Sequence, residues 1–230
     1  MDKGYELYCL TDAEFYDSSM LATVKDEPFE IAGRELPPGW RSAPSDDWLM
    51  FAPDAVRLPS QGWKIHASAC LDNAEQILET IWEYCIGERI AFKFIRSRQL
   101  LFLRNTKYAH RGYSGKFVTI FPAGEEQFAR ILEQLAPALD GHESPYILSD
   151  LRWGTGPLYV RYGGFRERYC VGPNGELEPA IEDADGELVP DRRGATFQVP
   201  AGIELPPILE PHLQARNADT LGDLPYRPEH

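Results

Sequence analysis

Two one-sided helical stripes, set among short apolar runs, constrain this chain more than any other feature. After Asp72, the residues Ala74, Ile77, Leu78, Ile81, Trp82 and Cys85 recur at helical spacing, while Glu75, Glu79 and Glu83 line the opposite side. Asp72 suits an N-cap and Gly87 a stop. A second stripe, Phe128, Ile131, Leu132, Leu135 and Leu139, predicts a helix from about Glu125 to Leu139, with Pro137 bending or ending its last turn. Strand-like runs surround them: 46–51, closed by Ala52-Pro53; Trp63 to Cys70; Ala91 to Ile95; Leu100 to Leu103; Phe117 to Phe121; Tyr146 to Leu148; and Leu158 to Tyr162. A helix with one apolar side needs a sheet to cover, which predicts an α+β class with helices packed on a mixed, largely antiparallel sheet.

The flanks carry less pattern. Residues 1–35 read as a mixed lead-in, closed by the turn-rich Leu36-Pro37-Pro38-Gly39-Trp40. Gly172 to Gly194 mixes acids with Gly and Pro and predicts a solvated hairpin or loop region. Ile203 to His230 is Pro-rich, with one helix near His212 to Asn217, and reads as a linker or docking arm. At 230 residues, 43% of them hydrophobic, the chain supports one large domain or two small ones.

Charge is unevenly placed. The formal net charge is −13, yet Arg89, Lys93, Arg96, Arg98, Arg104, Lys107, Arg111 and Lys116 follow one another with no Asp or Glu among them. A cationic island in an acidic chain points to one local anionic ligand, and argues against broad nucleic-acid or anionic-membrane binding. Cys9, Cys70, Cys85 and Cys170 form no CxxC pair and no zinc spacing, which fits buried free thiols in a reducing compartment. No signal-peptide pattern opens the chain, and no run approaches the ~20 apolar residues of a membrane span. A cytoplasmic protein is the expectation.

Lys64 and His66 lie two apart in Gly62-Trp63-Lys64-Ile65-His66, so in a strand they share a face. If the island holds phosphate, Arg111, Arg152 and Arg161 suit it, because a planar guanidinium matches phosphate oxygens. Lys93 sits between Phe92 and Phe94; burial and neighbouring arginines lower a lysine pKa and free its amine to act as a base. His66 can supply a proton. These parts suit β-elimination, with no carboxylate cluster for a metal. Each residue also has a plain structural role: a packed histidine, a lysine reaching for water, arginines paired with Asp150 or Glu167. Composition and spacing alone do not separate a lyase from a phosphate-binding module.

Several runs, in order along the chain, carry a resemblance. They are 46–50, Gly62-Trp63-Lys64-Ile65-His66, Phe92-Lys93-Phe94, 104–109, 114–120, Leu148-Ser149-Asp150-Leu151-Arg152-Trp153-Gly154, 159–165 and Val189-Pro190-Asp191-Arg192-Arg193. Together they resemble the N-terminal lyase domain of class III lanthipeptide synthetases, a family similar in fold and chemistry to bacterial phosphothreonine lyases. The resemblance implies Lys93 as general base, His66 as general acid and Lys64 as the cation that steadies an enolate. It implies Arg111, Arg152 and Arg161 as phosphate ligands, with Lys116 and Tyr113 as additional candidates. The pathogen enzymes carry a tyrosine in the strand after the Gly115 match, where this chain has Phe121.

The implied reaction eliminates phosphate from phosphoserine or phosphothreonine of a precursor peptide, giving dehydroalanine or dehydrobutyrine with no cofactor. Residues 1–215 would form the lyase domain and 216–230 a linker toward a kinase domain, to which ATP and magnesium would belong, followed by a cyclase-like domain. The alternative is a non-catalytic phosphopeptide- or leader-peptide-binding domain of the same synthetase.

Overall fold

The computed structural model describes residues 27–106, 109, 112–172, 174–194 and 196–221, with 218–221 described by backbone alone. Residues 1–26 with Cys9, the expected phosphate ligand Arg111, its neighbours Lys107 and Tyr108, and 222–230 of the expected linker lie outside the described residues.

Apolar alternation builds a seven-stranded sheet. Its strands are β1 (Trp40–Ser45), β2 (Trp48–Pro53), β3 (Gln61–Ala67), β4 (Ala91–Ile95), β5 (Val118–Phe121), β6 (Leu151–Arg152) and β7 (Leu158–Gly164), in the order β1-β2-β4-β5-β3-β7-β6. Every ladder in it is antiparallel. The helices among the described residues are α1 (Ala74–Gly87), α2 (Arg98–Asn105), α3 (Glu125–Ala138) and α4 (Glu210–Leu221). The chain thus has the expected α+β class, with a largely antiparallel sheet and amphipathic helices.

The two predicted stripes bury against one sheet face. Trp82 of α1 meets Phe51 and Phe92 edge-on, with ring centroids 5.1 and 5.6 Å apart. Phe51 stacks on Phe94 at 5.3 Å, and Phe128 of α3 lies 5.9 Å from Trp63. Such aromatic pairs add about 0.5–1.5 kcal/mol each beyond their burial. Because Phe92 and Phe94 turn inward, Lys93 between them turns to the opposite face. The helices therefore fix which side of the sheet holds the polar residues.

Local details differ from the sequence reading. Asn73, not Asp72, precedes α1; its Oδ1 accepts the Cys70 N–H at 2.9 Å and so pins the turn after β3. Residues 100–103 form helix α2, not a strand. Ser97 caps it, its hydroxyl oxygen accepting the Leu100 N–H, and only Leu101 is fully buried, as one helical side requires. Residues 146–148 are irregular: Ile147 enters the core while Tyr146 and Leu148 stay exposed, and among the described residues no strand pairs with them. The acidic stretch takes the hairpin form of the two expected. Its strands β9 (Leu177–Glu182) and β10 (Leu188–Pro190) pair antiparallel, with β8 (Tyr169–Val171), just before the stretch, added on the other side of β9, and buried Ala180 and Ile181 anchor the sheet. The C-terminal helix α4 is longer than the predicted 212–217.

Trp82→Ala removes the ring that joins α1 to β2 and β4. We expect a loss of about 3–5 kcal/mol in unfolding free energy by denaturant titration; a loss below about 1 kcal/mol would show that the contact is not part of a close-packed core.

Candidate active site

Antiparallel register places one row of side chains on the face away from α1 and α3. Met50 pairs with Lys93, Lys93 with Thr119, Thr119 with His66, His66 with Tyr159 and Tyr159 with Arg152. Directly opposed residues of an antiparallel pair point to the same face. Lys93 and His66 therefore share a face with only β5 between them, which separates their backbones by roughly 10 Å. Lys64 and Arg161 form the next row, paired across β3 and β7.

Asp150 organises this face. It is fully buried, and its Oδ2 lies 2.5 Å from His66 Nδ1. Its Oδ1 accepts the Ser149 hydroxyl at 2.7 Å and lies 3.3 Å from Lys116 Nζ. Burial alone would raise the Asp150 carboxyl, but Lys116, His66 and the hydrogen bonds from His66 and Ser149 hold it well below the usual carboxylate range. Burial also lowers the His66 pKa, against the pull of Asp150 and with Lys116 and Lys64 adding to the fall. The imidazole is then neutral, donates Nδ1–H to Asp150, and keeps a lone pair on Nε2.

The same forces lower the lysine pKa values. Lys93 is lowered to about 8, first by burial and then by Arg193, with Arg104 and Lys116 contributing. Its Nζ lies 4.4 Å from the centre of the Trp48 ring, a cation–π contact that orients the side chain. Lys116 also falls to about 8, through burial and then Arg161 and Arg193, although Asp150 opposes the shift. Lys64 falls well below its ordinary value by burial, then Arg161 and Arg193.

The arginines line the rim. Arg161 is buried and hydrogen-bonds to Asp191 on the segment after β10, with a further contact to the Arg192 carbonyl at 3.4 Å. Arg193 reaches the same Asp191 at 3.5 Å, so the carboxylate fixes two guanidinium groups beside Lys64. The Tyr113 ring lies between Arg104 and Arg193, at 4.8 and 5.3 Å. Arg104 is also paired with Asp47 at 2.7 Å.

The fold therefore brings together Lys64, His66, Lys93, Lys116 and Arg161, with Tyr113 at the rim. Arg152 shares the row, but its guanidinium is hydrogen-bonded to the Thr155 and Gly156 carbonyls at the sheet edge. Arg104, Thr119, Asp150 and Arg193 are site residues that sequence reasoning did not single out. All four fall in runs that carry the resemblance: 104–109, 114–120, 148–154 and 189–193. Thr119 carries no chemical signal; only register puts it on the floor between Lys93 and His66. Among the described residues no group of three His, Cys, Asp or Glu side chains could hold a metal ion, and no helix is long and apolar enough to cross a membrane. Cys70, Cys85 and Cys170 are free thiols.

Known proteins are similar to this chain. Residues 28–219 match the family described as RamC, N-terminal domain. The chain is 47% identical, over a 233-residue alignment covering all of it, to a probable SapB synthase of Streptomyces coelicolor, and spans 25% of that protein's length. Among solved structures it is similar to the type III effector and phosphothreonine lyase OspF of Shigella flexneri, at 13% identity and TM-score 0.45, covering 71% of this chain and 89% of that one. It is also similar to the phosphothreonine lyase SpvC of Salmonella, at 14% identity and TM-score 0.44, covering 61% and 77%. By its match over most of its length, the chain belongs to the RamC N-terminal domain family.

Proposed function

We propose that this chain eliminates phosphate from phosphoserine or phosphothreonine of a precursor peptide, as the lyase domain of a lanthipeptide synthetase. The observation that carries the reading is the row Lys93–Thr119–His66. It sets an amine and an imidazole on one face, one strand apart, with Lys64 and Arg161 in the adjacent row. That gap suits a single phosphorylated side chain laid over Thr119. The family match and the resemblance to class III lyase domains support it.

The chemistry follows from the protonation states. The neutral form of Lys93 takes the substrate Cα proton. The electron pair forms the Cα–Cβ double bond, and the Cβ–O bond breaks. Lys64, beside the developing enolate, steadies its charge. The departing phosphate takes a proton from His66. In the empty site His66 is neutral, but a phosphate dianion facing Nε2 adds negative charge and raises the imidazole pKa. The substrate thereby charges the acid that expels it. Lys116, Arg161 and Arg193, with Arg111, are assigned to the phosphate oxygens. The step as written uses no metal and no cofactor; ATP and magnesium belong to the kinase reaction that would supply the phosphorylated residue. Kinase and cyclase-like domains of a cytoplasmic synthetase are the partners in this reading.

The direct test is mass spectrometry on a synthetic phosphopeptide. The unmodified chain is expected to release phosphoric acid, and Lys93→Met to slow that release by about 10²–10⁴-fold. Unimpaired release by Lys93→Met removes Lys93 as the base. Tight binding without release by the unmodified chain indicates the phosphopeptide-binding alternative instead.

The pH dependence has a defined sign. Because the base must be neutral while the bound phosphate keeps His66 protonated, kcat at saturating substrate is expected to rise with pH through the Lys93 titration, which starts from about 8 in the empty site. A profile flat from pH 6.5 to 9.5 contradicts this assignment.

Stability follows the same linkage. The native Lys93 pKa of about 8 lies below that of the unfolded chain. Between the two, the unfolded chain binds more protons, so stability from this group rises with pH and the charged amine destabilises the fold below about 8. Lys93→Met is therefore expected to raise unfolding free energy at pH 7 by on the order of 3 kcal/mol and to flatten that rise. A variant less stable than the parent contradicts the buried-amine assignment.

A further inference from the structure

Asp150 lies at the end of an irregular segment, and β6, which follows it, is an edge strand of two residues paired only through Leu151 and Arg152. So short a ladder defines Asp150 weakly. A second support comes from far along the chain. Helix α4 is seated by its packing against β6 and the 3-10 turn Pro207–Leu209, where Leu209 is fully buried. His212 and Arg216 on α4 are four residues apart and so share one helix side.

That side grips the β6 segment at both ends. Arg216 Nη1 donates to the Asp150 carbonyl at 2.9 Å, and Nη2 donates to the Leu148 carbonyl at 3.2 Å. At the other end, the Gly154 N–H donates to His212 Nδ1 at 3.2 Å, and the Trp153 ring lies 4.0 Å from the imidazole. Two donors of one planar guanidinium thus fix two carbonyls two residues apart, which sets the direction in which the Asp150 side chain leaves the backbone. That side chain holds His66 and Lys116.

We infer that Arg216 is a positioning residue of the site: from the C-terminal helix it clamps the Asp150 backbone and thereby fixes the tautomer and aim of His66. The inference rests on the reading of His66 as the proton donor. It also makes α4, which runs across the expected boundary at residue 215, part of the site's support. A change in how α4 sits would be transmitted to the acid through two hydrogen bonds and one carboxylate.

Two readouts on the full chain test it. The first is independent of activity. In the parent without substrate, the His66 Nδ1 proton, shared with Asp150 over 2.5 Å, is expected to resonate far downfield in the proton NMR spectrum. Arg216→Ala is expected to move that resonance upfield or to lose it by exchange, and His212→Ala to leave it nearer its place. A resonance unmoved in Arg216→Ala overturns the inference. The second readout is elimination from the phosphopeptide. Arg216→Ala is expected to lower kcat by about ten- to a hundredfold with little change in KM, and added guanidinium ion to restore part of the loss. Parental kcat, or a loss in the folded variant that guanidinium leaves untouched, overturns it. Where the alanine variant does not fold, Arg216→Lys serves, since its amine reaches one carbonyl at a time; it is expected to lose several-fold in kcat, and parental kcat overturns the inference. A parent chain that shows no elimination refutes the lyase reading, while the NMR outcome still decides the clamp.

Discussion

One buried carboxylate holds the polar face together. Asp150 is removed from water and receives His66, Lys116 and Ser149 at once. A charge so buried is tolerated only when it is paired and fully hydrogen-bonded. The arrangement is asymmetric in its consequences. Removing Asp150 would leave a buried lysine and a free imidazole; removing either partner would leave a buried anion. The geometry of His66 is therefore fixed by energetic necessity as much as by packing. The fold meets that demand with elements distant in sequence: β3 supplies the imidazole, the loop before β5 the lysine, and the 148–152 segment the acid.

The rest of the face carries too much positive charge for an empty site. Lys64, Lys93, Lys116, Arg104, Arg161 and Arg193 outnumber Asp47, Asp150, Glu167 and Asp191, and water screens the buried ones poorly. The protein answers by weakening that charge where it can: the lysine pKa values fall and the imidazole stays neutral. Arginines cannot do so, and Arg161 and Arg193 are instead held by Asp191. An incoming dianion reverses this balance. A site of this kind selects a ligand by charge and changes its own protonation when the ligand arrives.

Much of this was legible in the sequence, for definable reasons. The helices α1 and α3 announced themselves by apolar period, and the alternation in 63–67 put Lys64 and His66 on one face; that Lys93 shares it emerged only from the strand pairing. The pairing of β4 with β5 and β5 with β3 was not legible, because strand order is a tertiary property; hence Thr119 went unnoticed. Asp150 looked like a surface partner for an arginine, since nothing local marks an acid as buried. Residues 100–103 looked like a strand because an apolar run of four fits either period, and Ser97 as a cap was the overlooked signal. The grip of Arg216 spans 66 residues and leaves no trace in local pattern.

The central claim is that the face is held under-protonated until a dianion occupies it. Titration calorimetry with inorganic sulfate at pH 8, repeated in buffers of different ionisation enthalpy, measures the protons taken up on binding. Sulfate has no proton of its own to exchange near this pH, so any uptake belongs to the protein. The account predicts net uptake of about one proton per sulfate bound, as His66 and the phosphate-facing Lys116 recharge. Binding with no proton uptake, or with release, would contradict it.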